Sequence, residues 1–284
     1  MKLVAEKNHM AIHPLRFGIV QGRLIQSPPG QLQWFPQDYW ESEFFIASAL
    51  GIDYIELIAE RNHNPANPLW SDAGVNSIKS LVKRNGLSLH AFCNDYIVDH
   101  ALPKSDDVLS QNLKLIERGA LLGCQKYILP LFEQSELTLK NVEEYVDPLR
   151  IIADKAEQSG ITVCLETVLN GAELITVLER INHPAVSVVY DTGNRVAFGH
   201  DLPGDICMLG SRISHVHIKD KNTFNENVII GTGLVNFLKV FEALAEIKYQ
   251  GPYTFETQRG SNPLRTAAYN LELVKFFYEE CFAK

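Results

Sequence analysis

Four residues able to hold a metal ion stand at or just past the ends of four successive apolar, β-branched runs. Glu166 closes Ile161-Thr-Val-Cys-Leu-Glu, Asp191 closes Val188-Val-Tyr-Asp, His217 ends Ile213-Ser-His-Val-His, and Glu256 closes Pro252-Tyr-Thr-Phe-Glu. If these runs are parallel strands of a closed barrel, their C-terminal ends meet at one mouth and bring three carboxylates and one imidazole to a single point. Three buried anions alone would repel one another and raise at least one carboxyl pKa, so the set calls for a divalent cation. Oxygen-dominated ligation with one imidazole favours Mn²⁺ first, then Mg²⁺ or Co²⁺, over a thiolate-bound structural zinc; Zn²⁺ and Fe²⁺ stay compatible. Taken singly, each carboxylate could instead cap a helix or pair with a base. The agreement of four singles them out.

The elements that would position them repeat along the chain. Further apolar runs at 17–20, 54–58, 87–92 and 126–131 bring the strand count to eight. Short, continuous and rich in Val, Ile and Leu, they have the pattern of parallel strands buried on both faces. Between them, 40–50, 73–84, 108–122, 139–158, 172–181, 236–247 and 264–282 carry apolar residues at helical spacing. Gly51, Gly86, Gly123 and Gly160 follow helical segments and precede strands. This βα alternation predicts a single-domain α/β fold, a (β/α)8 TIM barrel over 15–284 preceded by an N-terminal extension, 1–14. No G-x-G-x-x-G or Walker A pattern supports the doubly wound alternative. The long segments 21–37 and 59–72 fall after the first two strands, where they would overhang the mouth and supply binding contacts.

Composition narrows the partners. The chain has 284 residues, 46% of them hydrophobic and 21% charged, enough for one sizeable core. Its formal charge of -8 disfavours a broad attraction to nucleic acid or anionic membranes and favours a small substrate. Five scattered cysteines, an odd number with no CxxC pair, fit a reducing compartment better than a disulfide framework. Residues 1–14 lack the apolar core of a signal peptide, and no run is long enough to span a bilayer, so the expected location is the cytoplasm. Homo-oligomerisation is compatible with all of this.

Cys164-Leu-Glu-Thr, Tyr190-Asp-Thr-Gly-Asn, His215-Val-His-Ile-Lys-Asp, Gly231-Thr-Gly-Leu-Val-Asn-Phe with Tyr249-Gln-Gly, and Thr254-Phe-Glu-Thr together give a clear resemblance. The chain resembles the xylose-isomerase-like TIM barrel family, the sugar phosphate isomerase/epimerase and endonuclease-IV-like superfamily, over nearly the whole barrel. That resemblance implies that Glu166, Asp191, His217 and Glu256 ligate one divalent metal. It also implies an isomerase or epimerase of a sugar, sugar phosphate or related polyol, in which Glu166 and Glu256 move protons through a metal-stabilised enediolate. Asn194 stands three residues after Asp191, where the trinuclear DNA-repair members and some free-ketose epimerases carry histidine. This favours one metal and weakens the nuclease reading. Inosose- or dehydroshikimate-type dehydration and a non-catalytic sugar-binding barrel are the remaining alternatives.

Around the ligands, further residues are candidates for the substrate. Gln21 and Arg23 follow the first strand, and arginine suits bidentate recognition of phosphate or carboxylate. Arg259, three residues past Glu256, offers the same chemistry or a contact to the mouth loops. Glu56 ends the second strand, where it could bind hydroxyls, orient another site residue or form a structural ion pair. His90 and Asn94 belong to the third strand as pocket residues, unless one fills the barrel. His215 and Lys219 share the parity of His217; Lys219 could neutralise a phosphate or an alkoxide, or pair with Asp220. Asn194 could hydrogen-bond substrate.

Overall fold

All eight apolar runs give strands in a computed structural model that describes residues 15–282. They are β1 (Phe17–Val20), β2 (Tyr54–Ala59), β3 (Ala91–Asn94), β4 (Lys126–Pro130), β5 (Thr162–Glu166), β6 (Val186–Asp191), β7 (Ile213–Ile218) and β8 (Tyr253–Phe255). Each pairs in parallel with the next, and β8 pairs with β1 to close the barrel. The helices are α1 (Trp40–Leu50), α2 (Asp72–Asn85), α3 (Tyr96–Asp99), α4 (Asp106–Leu122), α5 (Val142–Gln158), α6 (Gly171–Ile181), α7 (Thr192–Ala197), α8 (Leu202–Leu209), α9 (Phe237–Glu246) and α10 (Pro263–Phe282). This is a single-domain TIM barrel, as the alternation predicts. The expected 1–14 extension lies outside the described residues. No helix among the described residues is long and apolar enough to cross a membrane.

Local chemistry explains most boundaries. Ser71 and Ser105 cap α2 and α4 through their hydroxyls, and Asn170 forms a capping box with Glu173 at the start of α6. Gly51, Gly86 and Gly123 end α1, α2 and α4 in the left-handed conformation, where their N–H groups take up the last carbonyls. The helical spacing gives no sign of short α8, which opens on Leu202-Pro-Gly-Asp. Proline and glycine fall within its first turn, behind the Asp201 cap, where they are tolerated.

The third strand begins later than its apolar run suggests. After Gly86 the chain makes one bridge, Ser88 with Tyr54, and the paired strand starts only at Ala91. Leu87 and Leu89 are instead half-buried hydrophobics packed against the core between sheet and helices.

Inside the barrel, Val20, Ile58, Cys93, Ile128, Cys164 and Val189 form an apolar cluster. A polar column runs beside it. The Tyr54 hydroxyl lies 2.5 Å from Thr254 Oγ1, which lies 2.9 Å from His215 Nε2. The Tyr54 ring fits only because position 18 has no side chain: a Cβ there would lie 2.1 Å from its Cε2 and Cζ atoms. The ring is fully buried and its hydroxyl is tethered, so it cannot swing away. Gly18→Ala is therefore expected to destabilise the fold by about 1–3 kcal/mol through overpacking. In urea, the unfolding midpoint should fall with the slope unchanged; a midpoint equal to the parent's would show that the ring has room to yield.

Candidate metal centre

The C-terminal ends of β5 to β8 bring together the four residues singled out by sequence. Glu166, Asp191, His217 and Glu256 are all buried, and each offers a ligand atom within 4.8 Å of the others. A register shift between β6 and β7 helps to align them. Val188 pairs with Ile213, but Val189 pairs with His215 and Asp191 with His217, so Ser214 is the extra residue. Such a bulge resets which side chains face inward, and here it sets the imidazole beside the aspartate.

Each donor is fixed by a neighbour. Asp191 caps α7 by accepting from the Asn194 N–H at 2.6 Å through Oδ1. The Asn194 amide also donates to Glu166 Oε1 at 2.9 Å. His217 Nδ1 faces Glu256 Oε2 at 3.1 Å, and its Nε2 lies 3.0 Å from Glu56 Oε1. The other Glu56 oxygen meets His215 Nε2 at 2.8 Å. Glu56 thus lies beneath the site and joins both rings. Burial would raise its pKa, but His217 and His215 outweigh that and hold its carboxyl down at about 2.

Electrostatics show why the cluster wants a cation. Burial, then the charge of Glu256, pushes Glu166 up to about 8. Glu256 goes the other way: burial pushes it up, but Lys219, His217 and Arg23 hold it well below the ordinary carboxylate range. Lys219 Nζ lies 2.9 Å from Asp191 Oδ2 and 2.8 Å from Glu256 Oε2. Asp191 Oδ2 is buried, with the Lys219 ammonium as its close charged partner. Three buried carboxylates converging with an imidazole that is anchored on its far side by a fourth carboxylate fit a divalent ion.

The mouth cavity above these residues has a volume of ≈ 470 Å³. Asn194 and Lys219 line it beside Glu166 and Glu256. Leu32, Gln33 and Arg61 line it too, so both long loops reach the mouth.

Other expected contacts are not brought into this cavity. Gln21 is buried and its amide oxygen accepts from the Ile58 N–H at 3.3 Å. Arg23 donates to the Leu32 carbonyl at 2.6 Å and to Gln33 Oε1, and approaches Glu256 at 3.5 Å. Arg259 donates to the carbonyls of Gly22 at 2.7 Å and Gln31 at 3.2 Å. These guanidinium groups pin the loop after β1 and are not part of the mouth cavity's lining. Asn94 has the outward parity of β3 and donates to Asn112 and Tyr127. Glu56 and His215 lie fully buried under the site. His90, preceding the true start of β3, faces the opposite pole.

Asp95 was missed. It follows β3 on the inward parity of Ala91 and Cys93, is buried, and lines the mouth cavity. Burial raises its pKa to about 6, with Cys93 opposing and Glu256 reinforcing the shift. The alternation in Ala91-Phe-Cys-Asn-Asp carries the signal, once the strand is phased correctly.

Fold and site define an eight-stranded α/β barrel with clustered carboxylates at its C-terminal mouth. The chain belongs to the xylose isomerase-like TIM barrel family, whose profile matches residues 44–277. The L-ribulose-5-phosphate 3-epimerase UlaE of Salmonella paratyphi A is 24% identical over 258 residues, spanning 83% of this chain and 89% of its own length. A D-psicose 3-epimerase from Clostridium cellulolyticum H10, solved with D-tagatose, superposes with a TM-score of 0.74 at 20% identity, covering 93% of this chain and 99% of its own. A xylose isomerase-like TIM barrel protein from Mycobacterium smegmatis, solved in complex with magnesium, gives 0.73 at 17% identity, with coverages of 95% and 97%. At these identities the likeness to solved structures is one of fold.

Proposed function

We propose that this protein is a divalent-metal-dependent epimerase or isomerase of a sugar or sugar phosphate. The observation that carries the reading is the buried cluster of Glu166, Asp191, His217 and Glu256, closed below by Glu56 and open above to a polar cavity. The epimerase names of the relatives support it, as does the family. A divalent ion, Mn²⁺ by preference, would supply Lewis acidity toward a carbonyl.

The chain's own groups would do the rest. Glu166 and Glu256 approach one point from non-adjacent strands, so one can remove a proton from the carbon next to a carbonyl while the other faces the opposite side. Return of the proton by the second glutamate inverts that centre; return to the neighbouring carbon moves the carbonyl. Asn194 would hold Glu166 in place through its amide, and Lys219 would counter negative charge developing on the substrate. Lys221 also lines the cavity, and its ammonium donates to Asn225 Oδ1 at 2.8 Å; it is placed to meet the far end of a substrate.

The test is incubation in deuterium oxide with ketopentoses, ketohexoses and their phosphates, using Mn²⁺-loaded and chelator-stripped protein. The expected product keeps the substrate's mass apart from one incorporated deuteron, and only loaded protein forms it. Loss of water would make the enzyme a dehydratase. Failure of every substrate to exchange with loaded protein would remove the epimerase reading.

A further inference from the structure

A basic cavity of ≈ 650 Å³ lies at the other end of the barrel, lined by Arg16, Lys126 and Lys248 together with His90, and among the described residues no carboxylate belongs to its lining. In a chain of net charge -8, three cations around one concavity make a local positive field. The Arg16 guanidinium has no carboxylate within ion-pair distance among the described residues, and Lys126 Nζ reaches only a hydroxyl, Thr162 Oγ1, at 3.3 Å.

His90 adds an independent sign. It is 2% exposed, yet neither ring nitrogen has a hydrogen-bond partner. Its ring stacks on His215 at 5.7 Å and tilts against Tyr54 at 5.4 Å, which fixes its plane. Buried polar groups are almost always satisfied in native proteins, so an unpaired ring at the wall of a cavity points to a partner inside it. A neutral imidazole offers one N–H donor, which a phosphate oxygen can accept.

We propose that this N-terminal cavity is a second ligand site, separate from the metal centre, that binds a small phosphate-bearing anion through Arg16, Lys126, Lys248 and His90. Its volume falls within the usual range for small-molecule sites and leaves room for an organic portion beside the phosphate. Such an anion would sit at the opposite pole from the reacting groups, so the site does not depend on the proposed epimerisation.

Calorimetric titration of the metal-loaded protein, at constant ionic strength, with inorganic phosphate and separately with glycerol 3-phosphate tests this. Saturable binding of at least one anion is expected, weakened tenfold or more in Arg16→Gln and Lys126→Met. Lys248 is exposed, so Lys248→Ala leaves the fold intact and should weaken binding several-fold even if a variant at half-buried Arg16 or Lys126 fails to fold. Tighter binding of glycerol 3-phosphate would identify a phosphorylated metabolite as the ligand, and equal or tighter binding of inorganic phosphate would identify the free ion. No binding of either anion overturns the proposal. So does binding that survives the three pole variants but disappears in Lys221→Met, which would place the anion at the mouth.

Discussion

Glu166→Gln and Glu256→Gln should each lower turnover by about 10²–10⁴-fold, the range expected when a positioned proton-transfer group is removed. Their stabilities should diverge. Burial and the charge of Glu256 already push the Glu166 carboxyl toward its neutral form, and a glutamine carbonyl can still accept from the Asn194 amide. Glu166→Gln should therefore unfold at the same or higher denaturant concentration when metal is absent. Glu256 faces Lys219 at 2.8 Å, His217 at 3.1 Å and Arg23 at 3.5 Å. Removing its charge leaves buried cations uncompensated, which is strongly unfavourable, so metal-free Glu256→Gln should unfold earlier. Activity and urea midpoints on the same preparations check both halves. Near-parental turnover in both variants would remove the glutamates from the chemistry. A lower midpoint for Glu166→Gln than for Glu256→Gln would reverse the electrostatic account.

The four clustered donors were legible because parallel topology settles their position. Once Glu166, Asp191, His217 and Glu256 end consecutive strands of one closed barrel, no rotamer choice is needed to place them at one mouth. Their surroundings were harder to read because identical chemistry serves two purposes. The guanidinium groups of Arg23 and Arg259 suit a substrate phosphate, but they suit the carbonyls of Leu32, Gly22 and Gln31 equally well. A phase error accounts for the third strand. Reading it from residue 87 drew His90 and Asn94 into the pocket, whereas a start at Ala91 turns Asn94 outward and leaves Asp95 at the mouth. The role of Glu56 depends on a contact across 161 residues of sequence. Only closure of the barrel brings β2 within reach of His217, so local pattern left its three roles open.

That contact carries the second large effect: Glu56→Gln should weaken Mn²⁺ binding by about 10–100-fold, the usual consequence of removing the group that orients a ligating histidine. The two Glu56 oxygens each face an imidazole nitrogen, His215 Nε2 at 2.8 Å and His217 Nε2 at 3.0 Å. A carboxylate accepts from both and thereby keeps the proton of His217 on Nε2, with the Nδ1 lone pair turned toward Asp191 and Glu256. Glutamine has one accepting oxygen and one donating amide, so the ring that faces the amide must turn an Nε2 lone pair toward it and carry its proton on Nδ1. If that ring is His217, the proton occupies the position from which it would ligate. Competition against a chelator measures the affinity, and turnover should recover largely at saturating Mn²⁺ because Glu56 lies below the cavity and is not part of its lining. Glu56→Asp keeps the charge on a shorter arm and should fall between parent and glutamine. Unchanged Mn²⁺ affinity in Glu56→Gln would mean that His217 is oriented by the strand alone. A loss of turnover that excess metal cannot restore would put Glu56 in the chemistry itself.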